Sequence, residues 1–219
     1  MRNWNRKCGN YGQVGNFDGS DNNPNDNNST GYSFNSTRHL NSLIQGHAQW
    51  ILRFLNQGWD GYLFTVNFND LPGKRDTKII QMHREVTRLY GRLATRMVRK
   101  PCSPKWAPLT PVGIFIPDKP VPKFRKGQKS TIAHVSINDG LNMHGIVLGN
   151  RWGRIRVPLD QYFEENARTY VQGKIRNIDV QRLTHEPGYV VGYALKSLLK
   201  RTASNDDILV LNWGGTRLD

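Results

Sequence analysis

Two periods of hydrophobic positions run along the chain, one of 3.6 residues and one of 2, and together they predict both helices and strands. Helical spacing of apolar residues runs from Ser36 to a glycine stop at Gly58, which predicts a first helix. The β-branched and aromatic residues 61–68 predict a strand. A long helix is predicted over about residues 76–99. Its core stripe would consist of Ile79, Met82, Val86, Leu89, Leu93 and Met97.

The second half of the chain is predicted to complete a sheet. Residues 131–138 and 142–149 are predicted to form a hairpin, because Asp139-Gly140 between them is a strong two-residue turn signal. Further strands are predicted at residues 112–117, 175–183 and 207–212, and helices at about 159–171 and 187–200. A hairpin combined with helices predicts an α+β fold, with a central, mainly antiparallel sheet and helices packed on it.

Composition separates a tail from a basic domain. Residues 1–35 are rich in Asn, Gly, Asp and Ser and are expected to be disordered, whereas residues 36–219 form a single domain that begins with the first helix. The net charge of +14 is unlike that of a neutral metabolic enzyme and implies a polyanionic partner, most simply nucleic acid. No stretch approaches the roughly 18 apolar residues of a membrane helix, and the chain start lacks a hydrophobic signal core. A cytoplasmic protein without membrane attachment is therefore expected. Cys8 and Cys102 lie far apart in sequence and indicate neither a zinc site nor a disulfide framework.

Two basic segments are candidates for contact with a nucleic acid. The long helix carries arginines at steps of four, and because like charges at this spacing weaken a helix, the row is easier to understand if phosphates lie along it. The basic, proline-containing loop 118–130 surrounds one phenylalanine, a combination suited to phosphate contacts and base stacking. The candidates are Arg84, Arg88, Arg92, Arg96, Lys123, Phe124, Arg125 and Lys126. A solvated helix face and a solvated insertion are the alternatives.

The predicted helix at residues 187–200 carries an unusual set of side chains. Tyr189, Tyr193 and Lys196 fall at steps of four and three, so they share one face of the helix. A nearby cation or metal lowers the cost of a phenolate, which makes tyrosine a nucleophile. The alternative is a surface helix whose tyrosine rings pack and whose lysines extend along the surface.

Three short segments follow one another in a recognisable order: a strand at residues 63–68, a strand containing Asn142-Met-His144, and the helix with Tyr189 and Tyr193. This order resembles the rolling-circle replication initiators and related nicking enzymes of the HUH endonuclease superfamily. In that family a Phe-Thr-Leu-Thr-Phe-like strand comes first, a metal-binding His-hydrophobic-His strand second, and a helix with one or two tyrosines third. The resemblance covers roughly residues 60–212 and implies an HUH nuclease fold of the ferredoxin-like or RRM-like kind.

The resemblance implies an enzyme that nicks and joins single-stranded DNA. Tyr193 would attack a phosphate and form a 5′-phosphotyrosine link, Tyr189 would act in the second transfer, and Lys196 would stabilise the developing charge. The chain carries no helicase motif, so a host helicase would be supplied separately, and the replication and transposition branches both stay open. The alternatives are a non-catalytic descendant that binds single-stranded DNA or RNA, and a basic structural protein of a nucleoprotein complex.

The metal strand departs from the family pattern, because Asn142 stands where the first histidine is expected. Positions two apart in a strand point the same way, so Asn142 and His144 still form a pair, and an amide oxygen can bind Mg²⁺ or Mn²⁺. As third ligand we favour His134, since the family draws its extra ligand from near this strand. His134 joins the metal face only if the hairpin turn has three residues rather than two. His185 and Glu186 are rival ligands that require no particular register.

Overall fold

The helices and strands follow the predicted periods along most of the chain. The computed structural model of the protein describes residues 32–119, 137–183, 194, 196–200 and 202–212. The helices are α1 (Tyr32–Asn56), α2 (Arg75–Met97), α3 (Leu159–Tyr170) and α4 (Lys196–Leu199). The strands are β1 (Asp60–Phe68), β2 (Val112–Asp118), β3 (Asn142–Gly149), β4 (Ile175–Arg182) and β5 (Leu209–Asn212).

The strands form one five-stranded sheet in the order β4-β1-β3-β2-β5, and every neighbouring pair is antiparallel. Along the chain, β1, α2, β2, β3, α3 and β4 give the order β-α-β-β-α-β, which with this strand order is a ferredoxin-like arrangement. The short β5 extends the sheet beside β2. The predicted α+β class with a central antiparallel sheet is therefore confirmed.

Alternate side chains of the strands divide between two cores, one on each face of the sheet. On the first face, Phe64 and Val147 belong to a cluster that includes the apolar stripes of α2 and α3. All six residues of the predicted α2 stripe are buried, which confirms that prediction. On the second face, Ile114 and Ile146 belong to a cluster with Ile51 of α1 and with residues of the segment around α4.

The predicted hairpin before β3 is wrong. Strand β3 is paired with β1 along one edge and with β2 along the other, and a strand has only two edges. The antiparallel partner that precedes β3 in the chain is therefore β2, reached through a long connection that contains residues 119–141. Of the segment predicted as the first hairpin strand, residues 131–136 lie outside the described part of the chain, and residues 137–138 belong to a turn.

The turn before β3 is built around Asn138, whose backbone is left-handed with φ 55°. Its buried side chain accepts a hydrogen bond from Leu71 N at 2.7 Å and donates one to Asn69 O at 2.9 Å. Both partners belong to the loop that follows β1. Asparagine tolerates this conformation better than most residues, because its short side chain forms local hydrogen bonds. The Asp139-Gly140 signal thus marks a turn that anchors the start of β3 to the end of β1.

Three further expectations concern the start of the first helix, the cysteines and membrane-crossing helices. Helix α1 begins at Tyr32 rather than at Ser36, so the last residues assigned to the tail are helical, and residues 1–31 lie outside the described part. Cys102 is disulfide-bonded, contrary to expectation. Among the described helices, none is both long and apolar enough to cross a membrane.

We predict that Asn138→Gly lowers the free energy of unfolding by about 1–3 kcal/mol, because the buried Leu71 amide loses its acceptor. Asn138→Ala should cost about 1 kcal/mol more, since alanine resists the left-handed backbone that glycine accepts. Urea unfolding followed by circular dichroism measures both. The control is Asp139→Asn, which removes only an exposed ion pair to Lys78 and should change stability by less than about 0.5 kcal/mol. Equal losses in Asn138→Ala and the control would contradict the role given to Asn138.

Candidate functional site

His144 lies at the centre of the sheet, between one side chain from each neighbouring strand. Its Nδ1 is 3.2 Å from the hydroxyl oxygen of Thr65 on β1. Its Nε2 is 3.4 Å from a carboxylate oxygen of Asp118 at the end of β2. The imidazole side chain is 12% exposed and the Asp118 side chain 2% exposed. The Thr65 contact at Nδ1 fixes the orientation of the ring, which is the usual requirement for a metal ligand, and Nε2 is left facing Asp118.

Asp118 is the site residue that the sequence interpretation missed, because it was assigned to the loop rather than to the strand. On β2, Val112, Ile114 and Ile116 face the second core, and Asp118 continues the same alternation. The register pairs Ile116 with His144 and Asp118 with Asn142. The sequence did contain a signal for this residue, because Asp118 follows the apolar positions 112, 114 and 116 at the same two-residue spacing. The spacing does not show which residues of β3 lie beside Asp118.

The pairing of β2 with β3 is held in place by a close contact beside the site. Phe115 lies directly across from Gly145, the residue after His144, on the first face of the sheet. A Cβ atom on Gly145 would come within 2.6 Å of the carbonyl oxygen of Ile114 and would also collide with the Phe115 ring. The glycine thus allows the aromatic ring to cover β3. This local fit favours the register that brings Asp118 to His144.

Asn142 is two residues before His144 and therefore points to the same face of the sheet. The residue is 7% exposed, and its side-chain oxygen accepts no hydrogen bond within the described structure. Leaving a buried amide group unsatisfied costs about 1–3 kcal/mol. A buried oxygen with its lone pairs available, next to a carboxylate on the neighbouring strand, is suited to bind a cation.

His144 Nε2, the Asp118 carboxylate and the Asn142 side-chain oxygen therefore form a set of one nitrogen and two oxygen donors on one face. This set fits Mg²⁺ or Mn²⁺, which prefer oxygen ligands and tolerate an imidazole. Within the described ranges no group of three or more His, Cys, Asp or Glu residues could hold a metal. The set reaches three donors only because it includes an amide.

The sequence analysis offered His134, His185 and Glu186 as candidates for the third metal ligand. The choice of His134 depended on the length of a hairpin turn before β3, and that hairpin does not exist. His134 itself, like His185 and Glu186, lies outside the described residues. Asp118 takes the place that His134 had in the sequence interpretation, because non-local pairing of β2 with β3 supplies an acid at the required position.

Residues that follow the tyrosines in the sequence pack on the same face of the sheet as His144. Tyr189 and Tyr193 lie outside the described residues, and for Lys196 the backbone alone is described, at the start of α4. Ala194 and Leu198 are buried, with exposures of 1% and 0%. Both belong to the second-face cluster that contains Ile116, the cross-strand neighbour of His144. This part of the chain therefore packs on the His144 side of the sheet.

The arginine row of α2 lies on the other side of the sheet from His144. Its helix packs on the first face, and the arginines point away from that core. Arg88 donates a hydrogen bond to Glu85 at 2.6 Å, and Arg92 donates one to the carbonyl of Thr169 at 3.4 Å. Arg84 and Arg96 are exposed. A strand bound at His144 would have to pass around the sheet to reach this row. The basic candidates from Lys123 to Lys126 lie outside the described residues.

Comparisons of the chain with protein-family models, with curated proteins and with solved structures found no match.

We predict that Asp118→Asn weakens Mn²⁺ binding by at least about tenfold, because loss of even a supporting residue around a metal ligand typically costs 10–100-fold. Electron paramagnetic resonance of free Mn²⁺ during titration measures the affinity without any reaction. The matched control is Asp179→Asn, which removes an exposed acid of β4 from the row that also contains Thr65 and His144. Wild-type affinity in Asp118→Asn, or an equal loss in both variants, would contradict a metal site at Asp118.

Asn142→His should restore the paired histidines of the HUH pattern and raise the affinity for Mn²⁺, since imidazole is the stronger ligand of the two. Asn142→Ala is the companion variant, and it should lower the affinity because one donor is lost. If Asn142→His binds Mn²⁺ no better than Asn142→Ala, then position 142 does not face the ion.

Proposed function

We propose that this protein is a metal-dependent enzyme that nicks and joins single-stranded DNA through a tyrosine-linked intermediate, as the HUH resemblance implies. One observation carries the proposal. The buried residues Ala194 and Leu198 pack on the same face of the sheet as His144, Asp118 and Asn142. Ala194 directly follows Tyr193 in the sequence, and this adjacency supports the proposal that the tyrosine acts beside the donor set.

The charge of the chain supports a nucleic acid as substrate. The net charge of +14 favours binding to a phosphodiester backbone, and such attraction weakens steeply as salt is added. The polar residues Thr65, Asn67 and Asp179 continue the His144 face toward β4.

The chemistry of the first step uses a tyrosine oxygen as nucleophile. The phenol oxygen of Tyr193 forms a bond to phosphorus, and the bond from phosphorus to the 3′-oxygen of the preceding nucleotide breaks. The phenol loses its proton and the departing 3′-oxygen gains one. The products are a 5′-phosphotyrosine and a 3′-hydroxyl, and the phosphodiester energy is retained for joining without ATP. Tyr189 serves in the second transfer, and the Lys196 ammonium stabilises negative charge on the phenolate or on the phosphate oxygens.

His144, Asp118 and Asn142 would hold a Mg²⁺ or Mn²⁺ ion, whose charge would polarise the scissile phosphate. Thr65 holds the His144 ring through Nδ1, so Nε2 would not have to reorganise when the substrate arrives. The burial of Asp118 keeps its carboxylate out of competing contact with water. These residues position the reacting phosphate and contribute no nucleophile of their own.

The deciding experiment replaces the nucleophile. Tyr193→Phe should abolish a covalent protein–DNA adduct while leaving DNA affinity within about twofold, because only one hydroxyl is removed. The adduct is measured by denaturing gel electrophoresis after incubation with Mn²⁺ and labelled single-stranded oligonucleotides of randomised sequence. Affinity is measured separately by fluorescence anisotropy.

Tyr189→Phe is the matched control and should keep the first adduct while impairing the joining step. An adduct that persists in Tyr193→Phe and disappears in Tyr189→Phe would reverse the two roles. No adduct in the wild-type protein, combined with tight binding of the oligonucleotides, would replace the enzymatic proposal by a non-catalytic single-strand-binding descendant of the fold.

A further inference from the structure

A cleft of about 420 Å³ opens at the end of the sheet where β1 finishes and β3 and β4 begin. It shares Asn142 with the donor set described above, so it adjoins the His144–Asp118 pair. The cleft is lined by Asn67, Phe68, Ile137, Gly140, Leu141, Asn142, Arg176 and Asn177. Apart from Asn142, no residue of this lining takes part in the proposed nicking chemistry. The lining nevertheless has the features of a binding site.

One wall of the cleft is a row of asparagine side chains on three adjacent strands. Asn67 and Asn177 are direct cross-strand partners on β1 and β4. Val66 pairs with Met143, so Asn142 lies on the other side of Asn67. Side chains of such neighbours have Cβ atoms about 4.5–5.5 Å apart. Asparagine is depleted from strands, so a row of three is not explained by sheet stability. Each amide offers donors beside an acceptor.

Arg176 adds a positive charge at the edge of this row. The register changes from Asn67 opposite Asn177 to Phe68 opposite Ile175, so Arg176 is the extra residue of a β-bulge. Bulges interrupt the alternation of a strand and redirect a side chain. Arg176 is exposed, and its guanidinium forms no ion pair with any residue in the described ranges. The bulge therefore places an available cation at the cleft.

The rest of the lining is apolar. Ile137 and Leu141 are half-buried and Phe68 is buried, and these residues lie at the ends of the elements that Asn138 ties together. Apolar surface on one side and amide groups on the other match the two chemical parts of a nucleobase. Its flat face packs against apolar atoms, and its edge requires hydrogen-bond donors and acceptors. The buried Asn142, whose oxygen is unsatisfied, borders the same space.

We propose that this cleft binds one unpaired base of the DNA strand, at a nucleotide next to the scissile phosphate. Asn67 and Asn177 hydrogen-bond to the base edge, and Arg176 contacts the adjoining phosphate. The shared wall at Asn142 sets the distance between the recognised base and the reacting phosphate. The identity of the substrate as single-stranded DNA rests on the proposed function. The cleft adds sequence selection to that function, at a single position of the strand.

The test is enrichment of bound sequences from a random 30-nucleotide single-stranded DNA pool in EDTA, so that no strand is cut. The wild-type protein should enrich one base strongly at one position. Asn177→Ala and Asn67→Ala should each reduce that preference by about tenfold, since a good base contact discriminates by about this factor or more. Asn177 is exposed, so its replacement opens no core. Gln181→Ala is the control, because Gln181 lies on the same face of β4 but outside the cleft, and it should leave the preference unchanged.

Arg176→Gln should act differently from the asparagine variants. It should lower affinity for all sequences and reduce the log–log slope of affinity against salt by about 0.7, the value for one phosphate of a single strand, while the base preference is retained. An unchanged slope would remove Arg176 from the site.

The outcomes separate this inference from the proposed function. A wild-type protein that enriches no base, or asparagine variants that keep the full preference, would overturn the cleft assignment even if the tyrosine adduct forms. A lost preference in those variants without any adduct in the wild-type protein would support the cleft and sink the nicking proposal. Stronger enrichment from an RNA pool through the same residues would overturn the assignment to DNA.

Discussion

The position of β3 between β1 and β2 is the constraint on which the candidate site depends. Each edge of β3 is hydrogen-bonded to a different strand, so its register is fixed twice. One register brings Thr65 to His144, and the other brings Asp118 within 3.4 Å of the same imidazole. A shift of either neighbour by one residue would move every side chain to the opposite face. The contact between Gly145 and Phe115 is one local reason why the second register holds.

The second face of the sheet is divided along the strands into an apolar half and a polar half. Toward one end, Ile114, Ile146 and Leu148 are covered by α1 and by the segment around α4. Toward the other end the same alternation supplies His144, Asn142 and their polar neighbours. The polar half is also largely buried, because the side chains of His144 and Asp118 are only 12% and 2% exposed. A single sheet face therefore packs against Ala194 and Leu198 at one end and carries the candidate donor set at the other.

The sheet also separates two kinds of positive charge. The arginines of α2 lie over the first face, where two of them already have hydrogen-bond acceptors in Glu85 and Thr169. Arg176 lies at the cleft on the polar end of the second face and has no such ion pair among the described residues. The net charge of the chain gave no reason to distinguish the α2 arginines from Arg176. Their placement relative to the sheet assigns Arg176, rather than the helix row, to the neighbourhood of His144.

The sequence by itself determined the elements whose evidence is local. The period of α2 identified its six buried positions, and the β-branched runs identified β1, β2 and β4, because periodicity depends only on neighbours in the chain. Pairing between distant strands is not local. The Asp139-Gly140 signal therefore suggested a hairpin, whereas the structure uses that turn to tie Asn138 to the loop after β1. Asp118 could likewise be recognised as a candidate site residue only from the pairing of β2 with β3, because this pairing places its carboxylate next to His144 and Asn142.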